Sequence, residues 1–184
     1  MAKIPSQHPG LPFKFELIPT GQVVEFEAYI KTINDRFSPQ WETSAELGRA
    51  DHKILYNRFV REIDINFVIV ALEKGEPKSN FEKLNDLTKS VYPRYIENYG
   101  FQGNFVKFTI GGMFKDEVGY VITLQNSVNN EETTWDLSEG LPLYSNINMV
   151  IGFIGKEMPD SEQTKAYSLS GGNGGGGGAN SPVT

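Results

Sequence analysis

One stretch limits the folds open to this chain more than any other: Glu62-Ile63-Asp64-Ile65-Asn66-Phe67-Val68-Ile69-Val70-Ala71. Ile63, Ile65, Phe67, Ile69 and Ala71 alternate with a second set that changes from Asp64 and Asn66 to Val68, Val70 and Leu72. A sustained period of two belongs to a strand, whose successive side chains point to opposite faces. The change in the second set describes a strand that passes from a wet surface into a region covered on both sides. Just upstream, Lys53 to Arg61 continues the pattern, with Ile54, Tyr56 and Arg58 on one parity.

Further segments repeat the signal. Phe13 to Ile18 alternates, Pro19-Thr20-Gly21 supplies a turn, and Val23 to Ile33 resumes with Phe26, Ala28 and Ile30 on one face, which predicts a β-hairpin. Asn34 to Asp51 is polar, contains Ser38-Pro39-Gln40-Trp41 and Gly48-Arg49-Ala50-Asp51, and reads as a long connection with short extended pieces. Phe105 to Ile110, Val118 to Val128 and Asn148 to Gly155 are further strands, with Val118, Tyr120, Ile122 and Leu124 on one parity. Trp135 and Leu141-Pro142 lie in a looser stretch. The period changes once: Phe81, Leu84, Leu87, Thr88 and Val91 follow helical steps, which predicts a helix from about Ser79 to Val91, capped by Ser79 or Asn80 and ended by Pro93. Six or more strands and a single helix argue against a doubly wound α/β fold. The expected fold is mainly β: an antiparallel β-sandwich or partly closed β-barrel with one packed α-helix.

The 184 residues divide into one domain with appendages. Residues 1–12 carry Pro5, Pro9 and Pro12 and read as a proline-rich N-terminal arm, residues 13–157 as the β domain, and residues 158–184 as a flexible glycine-rich tail. Seven of the 19 glycines fall between Gly171 and Gly178, and Tyr167 and Leu169 are the tail's large apolar side chains beyond Ser161. The absence of cysteine excludes a disulfide scaffold, a Cys nucleophile and thiolate metal sites. No apolar run is long enough for a membrane span, and the prolines of the N-terminus are unlike a signal peptide.

No catalytic, cofactor or metal site emerges. Glu131-Glu132 with Asp136, and Asp116-Glu117, are spaced like solvated surface carboxylates rather than a general-acid pair or an oxygen cage. His8 and His52 belong to no recognisable triad or zinc motif, and Gly111-Gly112 lacks the lysine and helix of a phosphate loop. Arg49, Lys53, Arg58 and Arg61, interleaved with Tyr56 and Phe59, could serve a nucleic-acid-binding β-barrel or fill a subunit interface. The net charge of −6 favours the interface and argues against direct nucleic-acid contact.

Trp41, Gly48-Arg49, Tyr56 and Arg61, followed by the strand Ile63 to Leu72, resemble the tube-initiator proteins of contractile-tailed bacteriophage baseplates. The segment Val91-Tyr92-Pro93-Arg94-Tyr95, the strand ending Ile110-Gly111, the Trp135 region and Leu141-Pro142 are similar to the same tail-tube pattern, over roughly Ser38 to Gly155. The resemblance implies a tail-tube-type β domain that assembles as a sixfold ring at the junction of baseplate hub and tail tube, templates the inner tube, and performs no catalysis. It implies a virion protein assembled in the host cytoplasm, whose neighbours are its own copies, a hub component or second tube initiator, and the first tail-tube ring. Another tail-tube, hub-adjacent or wedge component is the nearest alternative. Trp41, Arg49, Tyr56, Arg58 and Arg61 are the candidate interface residues.

Overall fold

The computed structural model describes residues 13–45, 51–73, 75–128, 135–154 and 166–167. The elements run β1 (Phe13–Leu17), β2 (Gln22–Glu25), β3 (Tyr29–Ser44), β4 (Lys53–Val70), α1 (Glu76–Thr88), β5 (Arg94–Ile96), β6 (Gly100–Gln102), β7 (Val106–Ile110), β8 (Phe114–Ser127), β9 (Trp135–Asp136), β10 (Leu141–Pro142) and β11 (Tyr144–Phe153). Seven strands form one antiparallel sheet in the order β2-β1-β7-β8-β11-β4-β3, while β5 with β6 and β9 with β10 form two-stranded hairpins.

Strands β2 and β3 stand at opposite ends of that order, yet residues 26–28 alone separate them. Four Cα steps reach at most about 14 Å. Seven strands laid flat, about 4.8 Å apart, would hold the outer two roughly 29 Å apart. The sheet is therefore rolled, and Phe13 and Phe26 from one end meet Phe67 from the other at ring-centre distances of 4.9 and 5.8 Å. Among the described residues no β2–β3 hydrogen bonding closes the roll. The mainly β, antiparallel class with one helix is as expected, in the form of a rolled, open sheet.

The inside of the roll is the face that alternation assigns to Ile63, Ile65, Phe67 and Ile69, joined by Phe15, Phe108, Ile147, Met149 and Ile151. Helix α1 adds Leu84 and Leu87 to this cluster. It begins earlier than its apolar stripe suggests. Gly75 takes a left-handed φ of 91°, Pro77 occupies the first turn, and the Glu76 carboxylate accepts hydrogen bonds from the Leu72 and Glu73 amides at 2.6 and 3.0 Å. Neither Ser79 nor Asn80 is the cap, because proline in the first turn needs no amide partner and sets the start upstream.

Three strand readings are corrected. Val23 to Ile33 is not one strand, since residues 26–28 divide β2 from β3 at opposite ends of the sheet order. Asn34 to Ser44 is no connection but the greater part of a 16-residue strand. Its polar side chains and Pro39 suit an edge strand, where a missing amide donor costs no ladder bond. On β8 the pairing with β11 slips between Val150 and Ile151, placing Thr123 opposite Val150 and Val121 opposite Ile151. The extra residue, Ile122, forms a bulge that reverses the alternation. Val121 and Leu124 thus both pack on the core, while Tyr120 and Ile122 are exposed.

Where β8 crosses β11 the strands approach closely. A Cβ at Gly119 would sit 2.6 Å from the Gly152 carbonyl oxygen and 2.7 Å from Ile151 Cγ2, whereas a Cβ at Gly152 would meet the Tyr120 ring at 2.6 Å. The first obstacle is backbone and the second a half-exposed ring that can turn away. Gly119→Ala is expected to lower the unfolding free energy by about 1–3 kcal/mol, and Gly152→Ala by less, with its cost shrinking further beside Tyr120→Ala. Urea unfolding of the single and double variants checks this.

Candidate subunit-interface arm

Strand β11 pairs with β4 from Glu62 to Val70, so among the described residues the remainder of β4 pairs with β3 alone. Past Glu62 the two strands leave the sheet as a ribbon made of residues 37–44 and 53–61. A lone two-stranded ribbon is marginal in water, and its root is held by one residue. Arg61 donates two hydrogen bonds to the Asp35 carboxylate, at 3.1 and 2.7 Å, and a third to the Ala166 carbonyl at 2.8 Å. Its guanidinium lies 4.1 Å from the ring centre of Phe153 and 4.7 Å from that of Phe37, with Phe114 and Tyr167 at 5.6 Å. The side chains of Arg61 and Asp35 are 12% and 5% exposed. Burial above all, together with the charge of Asp35 and a hydrogen bond to it, pushes the Tyr167 hydroxyl above its ordinary 10.0, against the pull of Arg61.

The ribbon's two faces differ. Phe37, Pro39, Trp41 and Thr43 continue the parity of Ile33 and Asp35, whose partners Ile65 and Ile63 are core residues. Phe59 and Arg61 lie opposite Pro39 and Phe37 on this face. The register then slips: Gln40 faces Arg58 but Trp41 faces Tyr56, leaving Asn57 as a bulge whose amide donates to Glu42 Oε1 at 2.7 Å. The bulge brings even-numbered Tyr56 and Ile54 onto the face that holds odd-numbered Phe59. One side of the arm is thus Phe37, Pro39, Phe59, Trp41, Tyr56 and Ile54, the core face of the sheet carried past the body and left exposed among the described residues. Trp41 and Tyr56 are 58% and 54% exposed and meet edge to face at 5.1 Å.

The structure therefore brings Trp41 and Tyr56 together, turns Arg58 to the opposite face beside Gln40, and engages Arg61 inside its own chain. The reading of Ile54, Tyr56 and Arg58 as one face is corrected by the Asn57 bulge. The basic and aromatic residues considered for nucleic acid do not converge, since Lys53 and Arg58 lie across the ribbon from Tyr56 and Phe59. Arg49 lies outside the described residues, as do the 1–12 arm, His8, Gly48, Glu131, Glu132 and all of the 158–184 tail except Ala166 and Tyr167.

Sequence reasoning missed Phe37 as a member of the patch; it weighed Phe59 beside Tyr56 and set Ile54 on the parity of Tyr56 without counting either among the candidate interface residues. The alternation Phe37, Pro39, Trp41 was the available signal. It also missed the β5–β6 hairpin, whose Tyr95 and Phe101 rings stack edge to face at 5.6 Å in solvent and whose entry is tied down by Asn104 Nδ2 donating to the Lys89 and Tyr92 carbonyls. The carboxylates have local work: Asp136 accepts from the Ser138 amide and hydroxyl, and Asp116 pairs with the Thr109 hydroxyl. Among the described residues no cluster of three or more His, Cys, Asp or Glu could hold a metal, and no helix is long and apolar enough to cross a membrane.

No family model matches the chain, and none of the curated proteins does. Solved structures similar to it include two particle chains. One is a chain of the tail of an empty gene transfer agent (GTA) particle, computed with helical refinement and C6 symmetry, at 14% identity and a TM-score of 0.35. The other is a chain of the virion of a native gene transfer agent particle, at 10% identity and a TM-score of 0.32. Each match covers 80% of this chain and 95% of the other.

Removing one partner of a buried ion pair strands the other, so Arg61→Ala is expected to destabilise the chain by about 3–5 kcal/mol. Arg58→Ala, on the wet face, is expected to stay within about 0.5 kcal/mol of wild type; chemical unfolding separates the two. A raised tyrosine value means that the folded chain favours the neutral hydroxyl. The stability this lends is complete below 10.0 and is lost as pH rises through the higher folded value. Wild type should accordingly lose stability relative to Tyr167→Phe as unfolding is followed from neutral pH to above 10.0.

Proposed function

We propose that this chain is a structural subunit of a contractile phage-type tail, six copies of which close a ring at the junction of baseplate hub and tail tube and template the inner tube. The observation that carries the reading is the apolar face of the β3–β4 arm, exposed among the described residues. Exposed aromatic side chains are the anchors from which protein interfaces draw most of their energy. Both edges of the ribbon also leave backbone groups for another copy to pair. An arm that docks on a different surface of the next identical chain makes a head-to-tail contact, and such contacts close into rings when the rotation permits.

Trp41, Tyr56 and Arg61, which carry the resemblance to tube initiators, fall on the arm and at its root. In this reading Trp41 and Tyr56 are the contact, Arg58 and Arg49 are further interface candidates, and Arg61 aims the arm. The β domain of residues 13–157 forms the ring wall, with the proline-rich arm and glycine-rich tail as appendages. A hub component or second initiator lies on one side and the first tail-tube ring on the other, in a virion assembled in the host cytoplasm.

Native mass spectrometry of the full chain, alone and with its hub partner, is expected to find six copies. Trp41→Asp with Tyr56→Asp should weaken association by at least about thirtyfold, the loss of one interface hot spot, without moving the unfolding midpoint. Assembly unaffected by the double variant, or a stoichiometry other than six, overturns the reading. A particle reconstruction that places the chain outside the central channel assigns it to the wedge instead.

A further inference from the structure

Ala166 and Tyr167 lie against the root of the arm, far along the sequence from everything they touch. The Ala166 carbonyl accepts from Arg61 Nη2 at 2.8 Å. The Tyr167 ring stands edge-on to Phe114 at 5.9 Å, packs on the core cluster and lies 5.6 Å from the Arg61 guanidinium that holds Asp35. These contacts complement one another chemically. Asp35 and Arg61 already share two hydrogen bonds; the Ala166 carbonyl takes up a third on the guanidinium, and the carboxylate keeps acceptor capacity for the Tyr167 phenol beside it. The walls are the rings of Phe37, Phe114 and Phe153, all set around Arg61.

We propose that the root of the arm is a binding site for a tyrosine-bearing peptide segment, occupied by the chain's own Ala166-Tyr167, and that its occupancy fixes the arm to the body. The placement of the walls supplies the second half. Asp35, Phe37 and Arg61 belong to β3 and β4 where the ribbon leaves the sheet, whereas Phe114 and Phe153 belong to β8 and β11. Tyr167 touches both sets, so it braces the ribbon at the point where pairing with β11 ends. The site selects tyrosine over phenylalanine, because a ring without the hydroxyl leaves the buried carboxylate short of a donor. It goes beyond the ring assignment and does not depend on what the arm docks onto.

The test uses the full chain carrying Trp41→Asp, so that assembly cannot protect the arm. Adding Tyr167→Ala should speed amide hydrogen exchange across residues 37–44 and 53–60 by about tenfold, the worth of a hydrogen bond to a charged group. A fluorescent peptide of residues 162–170 should bind that variant saturably, bind the parent with its filled site at least about tenfold more weakly, and restore slow exchange. The same peptide with phenylalanine in place of Tyr167 should bind about tenfold more weakly. Tyr167→Phe in the full chain keeps the ring in the core and should give an intermediate exchange rate. Unchanged arm exchange in both variants, or a peptide that binds the filled and emptied sites alike or neither, overturns the proposal. Because both readings come from unassembled protein, a failure here is distinct from a failure to form rings.

Discussion

Three residues between β2 and β3 impose the shape of the whole domain. Phe26, Glu27 and Ala28 must join the two strands that stand farthest apart in the sheet order, and the chain cannot cover a flat sheet's width in that distance. Rolling the sheet resolves the conflict and simultaneously creates the core, since the faces of β1, β4, β7 and β11 that carry Phe15, Ile65, Phe108 and Met149 turn inward together. The aromatic contacts of Phe13 and Phe26 with Phe67 substitute for the strand pairing that closure by hydrogen bonds would have provided.

The arm follows from a mismatch in length. An 18-residue strand rises about 60 Å, and β11 covers its C-terminal half alone. Among the described residues the remainder pairs with β3 alone, and it carries the core's apolar parity into solvent. Arg61 lies at the transition. A charge so deeply buried is tolerable because Asp35, the Ala166 carbonyl and four aromatic faces surround it. Arg58, three residues away, has the same chemistry and an opposite situation, since the pleat turns it to the wet face. One arginine aims the ribbon and the other decorates it.

Much of this was legible in the chain, and the failures share a cause. The alternation from Ile63 to Ala71, the hairpin around Pro19-Thr20-Gly21 and the helical stripe of Phe81, Leu84 and Leu87 all describe elements whose own side chains carry the pattern. Asn34 to Ser44 misleads because an edge strand need not be apolar: its partner supplies the ladder. The faces of Tyr56, Arg58, Val121 and Leu124 mislead because a single extra residue at Asn57 or Ile122 inverts everything beyond it, and a bulge has no composition of its own. Trp41 and Tyr56 were selected as interface residues from their chemistry, but Phe37, Phe59 and Ile54 join them only through cross-strand register.

Residue order by itself determined the mainly β class, the single helix, the buried alternation of β4 and the presence of large aromatics between Trp41 and Phe59, because each is a local matter of period and side-chain type. Tertiary structure alone decided that the sheet rolls, that the apolar stripe outruns its cover, and that Arg61 is enclosed while Arg58 is not. These depend on which distant segments pair, and where one stops: β11 ends at Phe153, and Tyr167 arrives at the root from the far end of the chain. Pairing between segments a hundred residues apart is set by the summed fit of many side chains, and no window of sequence contains it.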